Sequence, residues 1–263
     1  MISSNTITAI SKAENISWSI VEKDYFLTLL LESMSASQFL RDNFVFKGGT
    51  ALRKIYFRHY RYSEDLDFTL KTQLTEKEIR EAWESAFEYL KKQYNVDFSI
   101  RDFYSRKWFS DIKVQFIGLK GVKNTVALDI LSDETVVGII KEEDVFNPYY
   151  EKKFSVPVYS IEEILAEKLR SLLQRTRVRD YYDVWYLLTH SGNRINMEKV
   201  KGIFIKKVEQ KKLSFSSKDQ LLDQNKIDQA RAYYQRQLGS HLTKLPPFDK
   251  LIAELRAAIT ELI

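Results

Sequence analysis

The sequence contains no cysteine, and its three histidines, His59, His190 and His241, lie far apart along the chain. The absence of cysteine excludes disulfide bonds, a thiolate nucleophile and a cysteine-based zinc site, and scattered histidines supply no ligand cluster. No apolar run approaches the roughly 18 residues that a membrane span requires. The N-terminus also lacks the basic start and apolar core of a secretion signal. These absences predict a cytoplasmic protein without a membrane span or zinc chemistry.

The 263 residues, of which 44% are hydrophobic, suffice for one large domain or two small ones. Charge is unevenly distributed: residues 1–150 hold 20 basic and 22 acidic side chains, whereas residues 151–263 hold 21 and 14. A basic half beside an acidic half suits a polyanionic partner that one region binds and the other modifies. A solvated, lysine-rich surface explains the same counts.

Residues 44–70 carry most of the functional signal. Apolar residues 44–46 predict a short strand, which Gly48 and Gly49 end because paired glycines permit backbone angles that other residues avoid. The apolar spacing after Thr50 is helical. The glycine amides therefore lie near a helix N-terminus, where unpaired N–H groups favour an anion such as a phosphate.

The same stretch ends in a second predicted strand. Apolar residues alternate there with Asp65 and Asp67, so both carboxylates lie on one face. Adjacent like charges require a counter-charge. Mg²⁺ prefers oxygen ligands and commonly takes one or two carboxylates together with substrate phosphates. The stretch therefore predicts a magnesium site beside a phosphate-binding turn.

The order of these motifs resembles a known family. Gly48-Gly49-Thr50, fourteen residues and then Asp65-Leu66-Asp67 are similar to the first motif of the DNA polymerase β-like nucleotidyltransferases. Over residues 15–190 the chain resembles, more narrowly, the AbiEii/AbiGii toxins, bacterial nucleotidyltransferases of type IV toxin–antitoxin and phage-abortive systems. The resemblance rests on four blocks in order: residues 46–52, 63–68, 163–170 and 179–183.

This resemblance implies an α/β fold with a polymerase β-like nucleotidyltransferase core, in which helices flank a mixed sheet. We expect the core in residues 1–150, with an N-terminal packing helix, and a mostly helical domain in residues 151–263. The boundary is predicted within residues 141–159, where Asn147-Pro148, a charged run and Pro157 interrupt the periodicity.

A third carboxylate is predicted on the strand of residues 125–131. Its apolar residues alternate so that Asp129 is the one charge on the opposite face. In polymerase β-like folds a neighbouring strand adds a carboxylate to the Asp-x-Asp pair, and the resemblance assigns this role to Asp129. The alternative is a structural aspartate beside the turn at residues 132–134.

Lys168 interrupts an apolar helical stripe that contains Leu165 and Leu172. A lysine in such a place commonly extends its ammonium to the surface while its stem packs on the stripe. The alternative is a partly buried ammonium that binds triphosphate oxygens. The resemblance favours binding.

Three arginines, among them Arg175 and Arg179, precede Asp180 and Asp183. Asp180 could cap the following helix and Asp183 could pair with Arg179 at i, i+4, which would make both aspartates structural. The resemblance instead implies that this block contributes an acidic residue near the active site. Sequence does not distinguish the two aspartates, and we choose Asp180.

The implied activity is Mg²⁺-dependent transfer of a nucleotide from an NTP to a hydroxyl, with the tRNA 3′ end as the expected RNA acceptor and an antitoxin on a separate chain. Metal ligands would be Asp65, Asp67 and Asp129, and phosphate-binding residues would be Gly48, Gly49, Thr50, Lys168 and Arg175. A small-molecule nucleotidyltransferase of the aminoglycoside type is one alternative, disfavoured by the basic C-terminal half. A non-catalytic RNA-binding or interaction protein is another, disfavoured because both Asp65 and Asp67 are present.

Two further features receive structural interpretations. The basic stretch 199–212 and the polar stretch 214–244 could follow an RNA backbone, but both equally fit the solvated surface of a helical domain. Residues 17–33 predict a packing helix, in which we interpret Lys23-Asp24 as a solvated charge pair.

Overall fold

The structure, a computed structural model, describes residues 2–262, without the side chains of residues 261 and 262. Its Cα positions divide into two compact units. The first unit comprises Met1–Val136 and Ile140–Tyr159, and the second comprises Val137–Ile139 and Ser160–Ile263. Within residues 2–262 no helix has both the length and the apolar character needed to cross a membrane.

The described residues of the first unit form seven strands and five helices. The helices are α1 (Ser4–Glu14), α2 (Trp18–Ala36), α3 (Gln38–Asn43), α4 (Gly48–Ala51), which continues into the π-helical turn Leu52–Tyr56, and α5 (Glu76–Tyr94). The strands are β1 (Phe44–Lys47), β2 (Asp65–Leu70), β3 (Phe98–Arg106), β4 (Phe109–Ile117), β5 (Lys123–Leu131), β6 (Lys141–Asp144) and β7 (Ser155–Val158).

All seven strands form one mixed sheet in the order β3-β4-β5-β2-β1-β7-β6. β2 runs parallel to β5 and β1 parallel to β7, while the other pairs are antiparallel. This sheet and its flanking helices confirm the predicted α/β class.

One face of the sheet forms the core of the first unit. The Phe68 and Trp83 ring centroids lie 5.6 Å apart, which joins β2 to α5, and those of Phe26 and Phe116 stack at 3.9 Å, which joins α2 to β4. Helix α5 begins at a capping box, in which Thr75 and Glu78 exchange hydrogen bonds. Because side chains alternate along a strand, burial of these aromatics leaves the polar residues of β2, β4 and β5 on the opposite face.

The second unit is helical, as expected, with α6 (Ile161–Gln174), α7 (Val178–His190), α8 (Met197–Gln210), α9 (Gln224–Leu238) and α10 (Phe248–Leu262). Helix α6 packs against both α7 and α8. Ser160 caps α6 by accepting a hydrogen bond from the Glu163 amide at 3.2 Å. The Glu163 carboxylate instead accepts from the amides of Val137 and Gly138, at 2.8 and 2.7 Å, and pairs with buried Lys207 at 2.8 Å.

Candidate active site

The parallel strands β2 and β5 bring two predicted carboxylates to adjacent positions. Asp67 lies directly opposite Asp129, and Asp65 lies opposite Ala127. Paired residues on neighbouring strands are about 4.8 Å apart and project from the same face of a sheet. Asp65, Asp67 and Asp129 therefore share one face, opposite the apolar core.

Asp67 and Asp129 belong to a row of paired residues that crosses further strands of the sheet; we call it the carboxylate row. Lys47 lies opposite Asp67 on β1, and Asp111 lies opposite Asp129 on β4. The Lys113 ammonium is 2.9 Å from an oxygen of Asp111. Sequence alternation marks Asp111 as a residue on a polar strand face, but does not reveal which strand lies beside β4. Its place next to Asp129 therefore emerges only from the sheet order.

The glycine turn contacts this row directly. Gly48 has a φ of +79°, and a Cβ added there would overlap the Asp67 carboxylate, whose Cγ would be 2.7 Å away. A Cβ at Gly49 would lie 2.6 Å from the guanidinium of buried Arg61. Glycine is thus required at both positions so that a carboxylate and a guanidinium can approach the turn.

Two hydroxyl groups tie the turn to β2. Thr50 Oγ1 donates to the carbonyl oxygen of Asp65 at 2.5 Å, and Ser63 Oγ donates to its Oδ1 at 2.6 Å. The Thr50 side chain is buried. Its hydroxyl therefore fixes the turn against the strand, while Ser63 orients the Asp65 carboxylate.

A buried ionic cluster supports the helical segment that follows the turn. Asp24 Oδ2 accepts hydrogen bonds from Lys54 at 2.5 Å and Tyr149 at 2.6 Å. Burial acts to raise the pKa of Asp24, but Lys54 and Arg53 outweigh it, so this pKa lies below its usual value. The interpretation of Lys23-Asp24 as a solvated pair is wrong, because Asp24 is buried and Lys23 pairs with Glu64.

The second unit contains a separate charged cluster around Lys168. The Lys168 ammonium lies 3.0 Å from Asp180 and 2.9 Å from Asp183, and both carboxylates are buried. Arg175 donates to Asp180 at 2.8 Å. Burial acts to raise the pKa of Asp180, but Lys168 and Arg175 more than offset it, so the pKa is lowered.

These contacts decide two local alternatives from the sequence, one for Lys168 and one for Asp180. The side chain of Lys168 is 14% exposed and forms ion pairs with both aspartates, so it does not extend to solvent. Arg177, not Asp180, occupies the N-cap of α7. Asp183 pairs with Lys168 from α6, a contact between helices that local spacing within α7 could not predict.

Comparison with known proteins identifies the family of this chain. The family model for the nucleotidyl transferase AbiEii toxin of type IV toxin–antitoxin systems matches residues 29–254. The chain belongs to the AbiEii toxin family. It is therefore a nucleotidyltransferase, and the resemblance seen in the sequence motifs is confirmed.

A solved structure extends this comparison to the fold. The nucleotidyltransferase toxin MenT4 from Mycobacterium tuberculosis superposes with a TM-score of 0.73 at 18% identity, covering 100% of this AbiEii-family chain and 90% of MenT4. At this identity the match establishes a shared fold. Among curated proteins, none matches the sequence.

The carboxylate face of this AbiEii toxin suits a magnesium ion by its donor chemistry. In the described part of the chain no three His, Cys, Asp or Glu side chains converge into a metal-binding group. Mg²⁺ does not need such a group, since it usually keeps several waters and takes one or two carboxylates plus substrate phosphates. The neighbouring carboxylates of Asp67 and Asp129, with Asp65 two residues along β2, meet that requirement.

Proposed function

We propose that this toxin transfers a nucleotide from an NTP, with Mg²⁺, to the 3′ hydroxyl of an RNA, with the tRNA 3′ end as the expected acceptor. The pairing of Asp67 with Asp129, beside a glycine turn that admits the Asp67 carboxylate, carries this proposal. Membership of the AbiEii family supplies the reaction class. The basic composition of residues 151–263 supports a polyanionic acceptor over a cationic small molecule.

Asp65, Asp67 and Asp129 would hold the metal. When bound there, Mg²⁺ would neutralise phosphate charge and favour ionisation of the attacking hydroxyl. The protein prepares this site in two ways. Ser63 orients Asp65 by a hydrogen bond, and the strand pairing places the Asp67 and Asp129 carboxylates side by side, where a cation would neutralise both.

Gly48, Gly49 and Thr50 would bind the β- and γ-phosphates of the NTP. Because the Thr50 hydroxyl is already bound to Asp65, this turn would contribute its backbone amides. Lys168 and Arg175 would add positive charge to the phosphates, as the family resemblance implies, with Asp180 and Asp183 holding the Lys168 ammonium in place. The acceptor oxygen would then attack the α-phosphorus, and pyrophosphate would leave.

A cognate antitoxin, encoded on a separate chain, would complete the system. AbiEii toxins belong to type IV toxin–antitoxin systems, so an antitoxin is the expected partner.

The decisive test is incubation of the purified toxin with Mg²⁺, total RNA and each labelled NTP in turn. We expect label in one RNA size class from one preferred NTP, and its loss with Asp67→Asn. Asp97→Asn is the matched control, because Asp97 is a surface aspartate paired with Lys91 and lies outside the carboxylate row. Absence of labelled RNA with every NTP, from a folded wild type, would refute the proposal.

A further inference from the structure

The hairpin of β3 and β4 carries an exposed aromatic and cationic patch at its end, where Tyr104 lies on the face of the carboxylates and Lys107 and Trp108 form the turn. We call the four residues Tyr104, Arg106, Lys107 and Trp108 the hairpin patch. Tyr104 lies opposite Asp111, which lies opposite Asp129. Since paired residues project from one face, Tyr104 ends the row that begins at the proposed metal site.

Both rings of the hairpin patch are open to solvent. Tyr104 is 49% exposed and Trp108 is 44% exposed, which is unusual for large rings on a folded surface. β3 forms the edge of the sheet, so the patch is accessible from that side as well. Exposed rings next to a reaction centre are available to stack with a substrate.

Each ring lies beside a cation. The Arg106 guanidinium is 5.2 Å from the Tyr104 ring centroid, and the Lys107 ammonium is 4.6 Å from that of Trp108. Over residues 2–262 neither cation forms an ion pair with a carboxylate. Their charge is therefore available to an external anion while the rings remain available for stacking.

We infer that the hairpin patch binds the single-stranded 3′ region of the RNA acceptor, with bases stacked on Tyr104 and Trp108 and phosphates on Arg106 and Lys107. Aromatic rings interleaved with cations are the usual means of holding a single strand. This inference rests on the proposed function, because it names the surface that would receive the acceptor.

The position of the patch fits that role. Tyr104 is two strands from Asp129, roughly 10 Å at about 4.8 Å per strand. A stacked strand advances about 3.4 Å per nucleotide, so this separation spans about three nucleotides. A strand whose 3′ hydroxyl reached the carboxylates would thus place the bases a few positions upstream over the patch.

The test measures binding of a 5′-fluorescein single-stranded RNA of about twelve nucleotides by fluorescence anisotropy. We expect the double variant Tyr104→Ala/Trp108→Ala to lower RNA affinity about 10- to 100-fold, because each stacked base contributes substantially. Tyr104→Phe, which keeps the ring, should retain affinity, and so should Val122→Ala, a change at an exposed apolar residue between β4 and β5. Mg²⁺-dependent NTP binding and the melting temperature should be unchanged in all three variants.

The roles of Arg106 and Lys107 are tested separately by the salt dependence of RNA affinity. Arg106→Gln/Lys107→Gln should flatten the dependence of log affinity on log salt by about 1.4, which is the loss of two phosphate contacts at roughly 0.7 each for single strands. Under saturating NTP, the KM for RNA should rise in both double variants, while kcat at saturating RNA stays near the wild-type value.

The outcomes separate the patch from the proposed reaction. If the wild type labels RNA and the ring variant binds RNA as the wild type does, the patch assignment is overturned and the reaction stands. If the ring variant loses RNA binding but the wild type labels no RNA, the reaction is refuted and the patch stands. Unchanged RNA affinity together with lost binding of the purified antitoxin would identify the patch as a protein interface and overturn this inference.

Discussion

Asp67 and Asp129 lie opposite each other on the parallel strands β2 and β5. Asp67→Asn should reduce nucleotide transfer by at least about 100-fold, since it removes a negative charge from the proposed metal site. The change opens no core cavity, because Asp67 is on the polar face and only partly buried. The melting temperature without metal should stay near the wild-type value, because asparagine keeps the shape of the side chain on a polar strand face.

The metal requirement of this prediction is measured by thermal unfolding with increasing Mg²⁺. Wild type and Asp97→Asn should be stabilised alike, and Asp67→Asn should be stabilised less. Equal magnesium shifts in all three proteins, or transfer by Asp67→Asn at the wild-type rate, would contradict a metal site at this pair.

Gly48→Ala tests the contact between the glycine turn and Asp67. Both Gly48 and Gly121 have positive φ, of +79° and +74°, so alanine meets the same backbone strain of roughly 1 kcal/mol at either position. Only at Gly48 would the new Cβ overlap the Asp67 carboxylate, whereas nothing lies within 4 Å at Gly121. We expect Gly48→Ala to lose transfer activity and Gly121→Ala to retain it at similar stability.

Urea unfolding of both glycine variants, together with the transfer assay, checks this expectation. Two equally active alanine variants would mean that the position of Asp67 against the turn is unimportant for the reaction.

Local periodicity predicts much of the first unit. The glycine turn, the strand with Asp65 and Asp67, the capping box of α5 and the alternation of β4 are all visible in the sequence, because each depends on residues close together in the chain. Periodicity does not predict β6 and β7, since each has only four residues. The place of β7 beside β1 depends on a long-range parallel pairing, and β6 joins the sheet through β7.

Contacts between distant segments explain what the sequence could not reveal about the candidate site. In the sequence Asp24 is an ordinary charge within a helical pattern, yet Lys54 and Tyr149 contact it from segments 30 and 125 residues away. Asp111 joins the carboxylate row only because β4 pairs with β5. In the same way, Lys168 is an irregularity in one helix until α7 supplies two carboxylates.

Lys168→Met should destabilise the protein as well as impair NTP binding. Asp180 and Asp183 are buried, so removing the ammonium would leave two carboxylates without their shared counter-charge, at a cost of roughly 3 kcal/mol. Lys201→Met is the control, because Lys201 forms a solvent-exposed pair with Glu198 and should change stability by less than about 0.5 kcal/mol.

Adding Asp183→Asn to Lys168→Met should restore part of the lost stability, since it removes one of the two stranded charges. Urea midpoints at neutral pH measure both effects. A Lys168→Met protein as stable as Lys201→Met would show that the aspartates do not depend on the ammonium.

Asp180 should make the free energy of unfolding depend on pH in the acid range. Its folded-state pKa is lowered below the usual value near 3.8, so it contributes stability above that value, and the contribution is lost as the pH falls through the lower folded-state pKa. Asp180→Asn should therefore be less stable than wild type at pH 7, and the difference should shrink below about pH 4. Asp219→Asn, at an exposed aspartate, should follow the wild-type curve. Urea midpoints of the three proteins between about pH 2 and 7 measure this pH dependence. A constant difference between wild type and Asp180→Asn across that range would contradict a lowered pKa for Asp180.

Lys206 and Lys207 are neighbours in the basic helix α8, but their environments differ. Lys207 is fully buried and pairs with Glu163 at 2.8 Å, whereas Lys206 is exposed. Lys207→Met should cost roughly 3 kcal/mol, because it leaves the Glu163 carboxylate buried with only the amides of Val137 and Gly138. Lys206→Met should leave stability within about 0.5 kcal/mol of wild type.

Thermal and urea unfolding of the two variants measure this difference in stability. Equal stability of the two variants would mean that Lys207 is solvent-exposed like Lys206, and every lysine of α8 could then contact RNA. The expected contrast instead removes Lys207 from any RNA-binding surface on this helix and gives it a structural role between α6 and α8.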